Sequence, residues 1–92
     1  MVFSLLKNNY MNLKKNIAVS ETGFVFNPGT GDSFSLNGIG LEILNMLKEG
    51  KEDGDIISVL LEKYDIDRSS LEKYYYDFAG MLQYYQLVDN DE

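Results

Sequence analysis

The feature that most constrains the fold of this chain is a turn cluster at residues 27–32, Asn-Pro-Gly-Thr-Gly-Asp. Pro28 fixes its own φ near the value that a turn requires, and either glycine can adopt the left-handed conformation. A strand pattern lies on each side of the cluster. Residues 24–26 are Phe-Val-Phe, and residues 33–36 alternate polar with apolar side chains. The cluster therefore predicts a β-hairpin.

A further strand pattern, at residues 17–20, precedes this hairpin. The turn between them ends in Gly23, which can supply the positive φ of a tight hairpin. Three short strands joined by tight turns predict an antiparallel three-stranded sheet. Residues 1–16 show no clean period, and we predict that they form an N-terminal arm.

Three helical patterns follow the strands, and each begins after a residue whose side chain can cap a helix. The predicted helices are residues 38–49 after Asn37, residues 54–64 after Asp53 and residues 68–85 after Asp67. Gly50 lies where a left-handed cap ends the first of them. In the third helix a narrow apolar stripe predicts the side that faces the core: Leu71, Tyr75, Phe78 and Leu82.

Strands followed by helices predict an α+β domain. The order of the elements favours a winged helix-turn-helix-like fold, with a three-stranded antiparallel sheet followed by three helices. A length of 92 residues is enough for one domain. We predict that this domain spans residues 17–88, between the arm at residues 1–16 and a polar tail at residues 89–92.

Two residue types, Cys and His, do not occur in the sequence. Their absence excludes disulfides, thiol chemistry, Ser-His pairs and metal sites that need sulfur or imidazole. The glycine cluster lacks the Gly-Lys-Ser/Thr ending of a phosphate loop, and the acidic residues at 52–55 and 65–67 do not fit the calcium-loop pattern. We therefore predict no metal, no cofactor and no enzymatic activity.

The formal charge of the chain is −7, from 15 acidic and 8 basic residues. This charge repels phosphate backbones, so we expect no nucleic-acid partner unless the few cations cluster. Four of the eight basic residues lie within the first 48 positions of the chain: Lys7, Lys14, Lys15 and Lys48. No run of 18 apolar residues and no secretory signal pattern occurs, so we expect no membrane contact and a cytoplasmic location.

Aromatic and Met side chains form a border beside the core stripe of the third helix: Tyr74, Tyr75, Met81 and Tyr85. In one interpretation Tyr75 and Tyr85 fill the core and the others cover surface. In the other the border binds a peptide, because Tyr offers a large contact area and Met adapts its shape. A strand at residues 32–36 can pair with an extended peptide if it lies at a sheet edge. An ordinary strand, paired or covered on both sides, is the alternative.

Residues 23–37, with the motifs Gly-Phe-Val-Phe-Asn and Thr-Gly-Asp-Ser-Phe-Ser-Leu-Asn, resemble the PqqD family, as does the apolar spacing of the helices that follow. The resemblance extends over residues 17–88. It implies a recognition element for ribosomally synthesised and post-translationally modified peptides (RiPPs). Such an element binds the leader of a precursor peptide and presents it to a modifying enzyme, such as a radical SAM enzyme or a leader protease. The implied peptide-binding residues are Asp32, Ser33, Phe34, Ser35 and Leu36 on the docking strand, and Tyr74, Asp77, Phe78, Met81 and Tyr85 on the last helix.

Two other functions are compatible with the sequence. A winged-helix DNA-binding regulator needs a basic recognition helix, whereas the third helix has only Arg68 and Lys73 as cations, against Glu72 and Asp77. A small interaction subunit, for example a homodimer formed through the tyrosine border, needs no peptide ligand at all.

Overall fold

The computed structural model describes residues 12–89. Its elements in chain order are β1 (Asn12–Leu13), β2 (Ala18–Val19), β3 (Phe24–Asn27), β4 (Asp32–Ser35), α1 (Gly38–Lys48), α2 (Asp53–Lys63), α3 (Arg68–Tyr84) and β5 (Val88–Asp89). Strands β2, β3 and β4 form an antiparallel sheet in that order, and β1 pairs with β5 in a second, two-stranded sheet. The predicted α+β fold, a three-stranded antiparallel sheet followed by three helices, is confirmed.

The two predicted hairpin turns both form. In the second, the Gly31 amide donates to the Asn27 carbonyl at 2.7 Å, and Gly31 has a φ of 84°. In the first, Gly23 has a φ of 95°, and a Cβ at this position would lie 2.7 Å from the main-chain oxygen of Leu36. Gly23 therefore permits both the turn and the close approach of the main chain at the end of β4.

Two of the three predicted helix caps are confirmed. The Asn37 Oδ1 atom accepts a hydrogen bond from the Gly40 amide at 2.8 Å and caps α1. The Asp67 carboxylate accepts a bond from the Ser70 amide at 3.0 Å and caps α3. This main-chain bond, with the hydroxyls of Ser69 and Ser70, lowers the pKa of Asp67 to about 2.

The third predicted cap, Asp53, is wrong. Helix α2 begins at Asp53 itself, and Glu52 occupies the cap position before it. Asp53 is buried and accepts a hydrogen bond from the hydroxyl of Tyr75 on α3. Burial, together with this bond, raises the pKa of Tyr75 far above its usual range. A buried tyrosine hydroxyl needs a polar partner, and here that partner is the acidic residue at the start of α2.

The core lies between the inner face of the sheet and the three helices. The apolar stripe predicted for the third helix, Leu71, Tyr75, Phe78 and Leu82, is buried throughout. Val25 of β3 and Ile43 of α1 are fully buried in the same cluster. No helix in the part of the chain that is described combines the length and the apolar character needed to cross a membrane.

Strand β1 lies within the region predicted to be an arm. Leu13 is opposite Val88 in the two-stranded sheet, and the Lys14 amide donates to the Leu87 carbonyl at 3.0 Å. The division of the chain at residues 16 and 88 stays a prediction. Residues 1–11 of the predicted arm and residues 90–92 of the predicted tail lie outside the described residues.

Candidate functional site

Strand β4 lies at the edge of the three-stranded sheet. Its one neighbour is β3, and no other strand among residues 12–89 pairs with its outer side. The Leu36 amide donates to the Gly23 carbonyl at 2.8 Å, so this pair is hydrogen-bonded. Bonded and non-bonded pairs alternate along an antiparallel ladder. Ser33 and Ser35 therefore direct their main-chain amides and carbonyls away from β3, toward the open edge.

Tyr85, the residue that caps the C-terminus of α3, contacts the inner side of β4. The rings of Phe34 and Tyr85 are 4.8 Å apart at an interplanar angle of 59°. Leu36 and Phe78 both lie against Gly40, where a Cβ would be 3.5 Å from the Leu36 Cβ and 3.2 Å from the Phe78 Cε1. We call this region the β4–α3 surface, and it consists of Phe34, Leu36, Tyr74, Phe78, Met81 and Tyr85.

One end of the β4–α3 surface is fixed by Tyr74. Its hydroxyl donates to the Asn37 Oδ1 atom at 3.2 Å, and its ring stacks on Phe78 with a centroid distance of 6.2 Å. Asn37 therefore caps α1 and also positions Tyr74. The sequence predicted the cap but not the contact with Tyr74, because nothing in a local pattern shows which distant hydroxyl will meet a cap.

Side chains of the predicted helix wall differ in their exposure. Phe78 is nearly buried at 8%, Tyr74 and Met81 are partly buried, and Tyr85 is 37% exposed. The Asp77 carboxylate pairs with Lys73 of the same helix, and the structure shows no contact of Asp77 with β4. The structure thus brings the aromatic and Met residues together with β4, but not Asp77.

The sequence did not predict a role for Tyr84. Its ring lies 5.0 Å from that of Tyr85 in an edge-to-face arrangement, although Tyr84 is 78% exposed. Phe34, Tyr85 and Tyr84 therefore form a row of aromatic rings from β4 across to the solvent side of α3. A helical wheel places Tyr84 away from the core, but it cannot show that the ring turns back onto its neighbour.

Asn27 links the hairpin to the end of α3. Its Nδ2 atom donates to the main-chain oxygens of Tyr85, at 3.4 Å, and Gln86, at 3.3 Å. Its Oδ1 atom accepts from the Gly29 amide at 2.9 Å, and the residue is 2% exposed. The sequence indicated Asn27 only as a turn residue. Its second role holds β4 and α3, the two sides of the β4–α3 surface, at a fixed separation.

An α+β domain with an open edge strand beside an aromatic helix is a class of small domain suited to binding extended chains. The sequence matches the model of the family described as coenzyme PQQ synthesis protein D (PqqD) over residues 23–88. The chain belongs to the PqqD family, as its motifs implied.

A solved structure with the same fold is that of TbiB1 in complex with the TbiA(beta) leader peptide. The TM-score is 0.82 at 24% sequence identity, and the alignment covers 89% of this chain and 99% of TbiB1. None of the curated proteins matches the sequence.

Proposed function

We propose that this protein binds the leader segment of a ribosomally synthesised precursor peptide and presents it to a modifying enzyme. The observation that carries the proposal is the open edge of β4 beside the aromatic side chains of α3. Membership of the PqqD family supports it, as does the shared fold of TbiB1, whose structure is described as a complex with a leader peptide.

The leader would add to the sheet as a fourth strand. Ser33 and Ser35 offer its main chain the amides and carbonyls of the open edge. Alternate leader side chains would face the β4–α3 surface, while those between them would lie on the outer face of the sheet. Phe24 and Phe26 are exposed on that outer face, opposite the two serines. Both faces thus present apolar area to the leader.

The ten residues of the predicted site have separate roles in this proposal. Asp32, Ser33, Phe34, Ser35 and Leu36 form the docking strand, and Tyr74, Asp77, Phe78, Met81 and Tyr85 form the helix side. The role is binding and involves no chemical step or cofactor. The partner enzyme would be a radical SAM enzyme or a leader protease, in the cytoplasm, where the ribosome delivers the precursor.

The DNA-binding alternative gains no support from α3. Its two cations are both in ion pairs within the helix, Arg68 with Glu72 at 3.2 Å and Lys73 with Asp77 at 3.1 Å. A recognition helix needs cations that are available to phosphates and bases.

The proposal is tested by substituting Ser35→Pro and measuring binding of a fluorescently labelled leader peptide. The labelled peptides are candidate leaders encoded by short reading frames beside the gene for this protein. Proline removes an amide that points to the open edge, yet it removes no bond to β3. We expect binding to weaken by at least about tenfold, because a main-chain bond to the leader is lost.

Ser35→Ala is the matched control, since it changes the same side chain and retains the amide. It should bind the leader within about twofold of the wild-type protein. Thermal unfolding of both variants shows that the sheet remains intact. Equal leader binding by Ser35→Pro and the wild-type protein contradicts strand addition at β4.

A further inference from the structure

A pocket of about 530 Å³ lies at the C-terminal end of α1, between this helix and β1. Its lining residues are Asn12, Leu13, Lys14, Lys15, Ile17, Leu47, Lys48, Gly50 and Asp89. None of the ten residues of the predicted peptide site is among them. The function proposed for the β4–α3 surface therefore makes no use of this pocket.

Among residues 12–89, the lysines that form no ion pair all line this pocket. Within residues 12–89, the other cations all form ion pairs: Lys51 with Glu49, Lys63 with Glu42, Arg68 with Glu72 and Lys73 with Asp77. Lys14, Lys15 and Lys48 form no ion pair in this part of the chain, and all three line the pocket, with Asp89 as its one acidic lining residue. A protein with a charge of −7 thus presents a local positive surface here.

Apolar side chains lie between these lysines. Ile17 and Leu47 are core residues that also line the pocket, and Leu13, another lining residue, is partly buried against the same core. Carboxylates are favoured near lysine ammonium groups, and an aliphatic side chain is favoured against the apolar lining residues. This combination fits an acidic peptide segment that carries an apolar residue between its carboxylates.

The pocket can be occupied while the β4–α3 surface is in use. Asn37, at the N-terminus of α1, contacts Tyr74 of the β4–α3 surface, whereas Lys48 at the other end of α1 lines the pocket. A helix of 11 residues is about 16 Å long, so this length separates the two contacts. An extended leader on β4 and a segment in the pocket need not overlap.

We propose that the lysine pocket docks an acidic, apolar-containing segment of a partner protein while a leader peptide is bound elsewhere on the molecule. Identifying that partner as the modifying enzyme rests on the proposed function, whereas the binding property of the pocket does not. Nucleic-acid binding requires cations that neutralise many successive phosphates, and three lysines on a strongly acidic protein are too few. A protein segment therefore fits the pocket better than a nucleic acid.

The first test titrates the full ¹⁵N-labelled chain with a synthetic probe peptide, acetyl-Asp-Glu-Leu-Glu-Asp-Leu-Glu-amide, at about 20 mM salt, where charge attraction is weakly screened. We expect saturable shifts of the amide signals of Lys14, Lys15, Lys48 and Gly50, without shifts along Tyr74–Tyr85. A peptide with lysine at each acidic position should produce no shifts.

The second test measures the affinity of the same probe for charge-reversed variants. Lys15→Glu combined with Lys48→Glu should weaken binding by about tenfold or more. Arg68→Glu combined with Lys73→Glu makes the same change of charge at exposed positions on α3 and should alter binding by no more than about twofold. Lys15→Gln combined with Lys48→Gln is a milder variant, with an intermediate loss expected, and circular dichroism verifies that each variant is folded.

Three results overturn the proposal: no saturable binding of the probe by the wild-type chain, equal loss of binding in the variant that combines Arg68→Glu with Lys73→Glu, or tighter binding of inorganic phosphate or a short oligonucleotide. The Ser35→Pro variant separates the two proposals. If this variant no longer binds the leader but still binds the probe, binding in the pocket does not depend on β4. If the leader binds and the probe does not, only the pocket proposal fails. If the probe binds and the wild-type chain does not bind the leader, only the proposed function fails.

Discussion

The side-chain amide of Asn27 donates to the main-chain oxygen of Gln86 at 3.3 Å and so joins the hairpin of β4 to the end of α3. A second bond, to the Tyr85 oxygen at 3.4 Å, strengthens the same link. Residues 27 and 86 are far apart in the sequence but lie on the two sides of the β4–α3 surface. The buried side chain of Asn27 bonds to main-chain atoms of the hairpin and of the end of α3. These bonds fix the distance between β4 and α3.

We predict that Asn27→Ala lowers the free energy of unfolding by about 1–3 kcal/mol, because partly buried carbonyls lose their donor and the turn loses an acceptor. Leader binding should weaken as well, since β4 and α3 are no longer held together. Urea denaturation and a leader titration measure the two effects. Asn45→Ala, at an exposed position on α1, is the control and should lower neither stability nor leader affinity, because Ala is the better helix former. If Asn27→Ala is as stable as the wild-type protein, the hydrogen bonds from Asn27 to the end of α3 contribute little to stability.

Gln86 has a φ of 61° and is the one non-glycine residue with a positive φ among residues 12–89. It follows the end of α3 in a left-handed cap, in which the Leu87 amide donates to the Leu82 carbonyl at 2.9 Å. We predict that Gln86→Gly raises the free energy of unfolding by about 0.5–1 kcal/mol, because glycine adopts this conformation without strain.

Gln83→Gly is the matched control for this prediction. It places glycine inside the last turns of α3, where the cost is about 1 kcal/mol. Urea denaturation of the two variants should thus show shifts of opposite sign. A destabilised Gln86→Gly variant would show that the glutamine side chain stabilises this end of α3 by more than its backbone conformation costs.

Gly40 permits the contact between α1 and Phe78. An added Cβ would lie 3.2 Å from the Phe78 Cε1 and 3.1 Å from the Asn37 Oδ1, and both atoms belong to the site or support it. We predict that in Gly40→Ala a gain in helix propensity of about 1 kcal/mol is offset by overpacking of about 1–3 kcal/mol. Displacement of Phe78 should also reduce leader affinity severalfold, which a titration measures.

Gly54→Ala supplies the comparison, because an added Cβ there meets nothing within 4 Å. This variant of α2 should be more stable than the wild-type protein by up to about 1 kcal/mol and should bind the leader normally. If Gly40→Ala resembles Gly54→Ala in both measurements, close packing at Gly40 is not needed for the site.

Tyr75→Phe removes the hydroxyl that donates to Asp53. We predict a loss of about 1.5–3 kcal/mol in the free energy of unfolding near neutral pH, as for other bonds to a charged acceptor in a buried place. Tyr76→Phe, at an exposed position, should cost less. Urea denaturation near pH 7 compares the two variants, and equal losses would contradict the importance of the buried bond.

The same bond predicts a dependence on pH. Burial and Asp53 raise the pKa of Tyr75 in the folded protein, so the folded chain retains a proton that the unfolded chain releases near pH 10. The stabilisation is therefore complete below about pH 10 and decreases as the pH rises further. The difference in stability between the wild-type protein and Tyr75→Phe should narrow above that pH, and a constant difference would contradict this assignment.

Local patterns predicted the helices of this chain to within one residue at each end. They succeeded at Asn37 and Asp67 because a cap depends on the chain immediately next to it. They failed at Asp53, where the same reasoning applied but a distant buried hydroxyl became the partner of the carboxylate. Membership of the PqqD family was likewise implied by motifs that are continuous in the sequence.

The sequence by itself determined the order of the three strands of the main sheet and of the three helices, the two turns and the apolar stripe of α3, because turn chemistry, capping and periodicity act over a few residues. It did not predict the pairing of β1 with β5. Tertiary structure alone decided that β4 has an open edge, that Asn27 holds α3 beside it, and that three lysines from separate segments line one pocket. The physical reason is that edges, buried hydrogen bonds and pockets join residues that are distant in the chain, and only packing determines which of them meet.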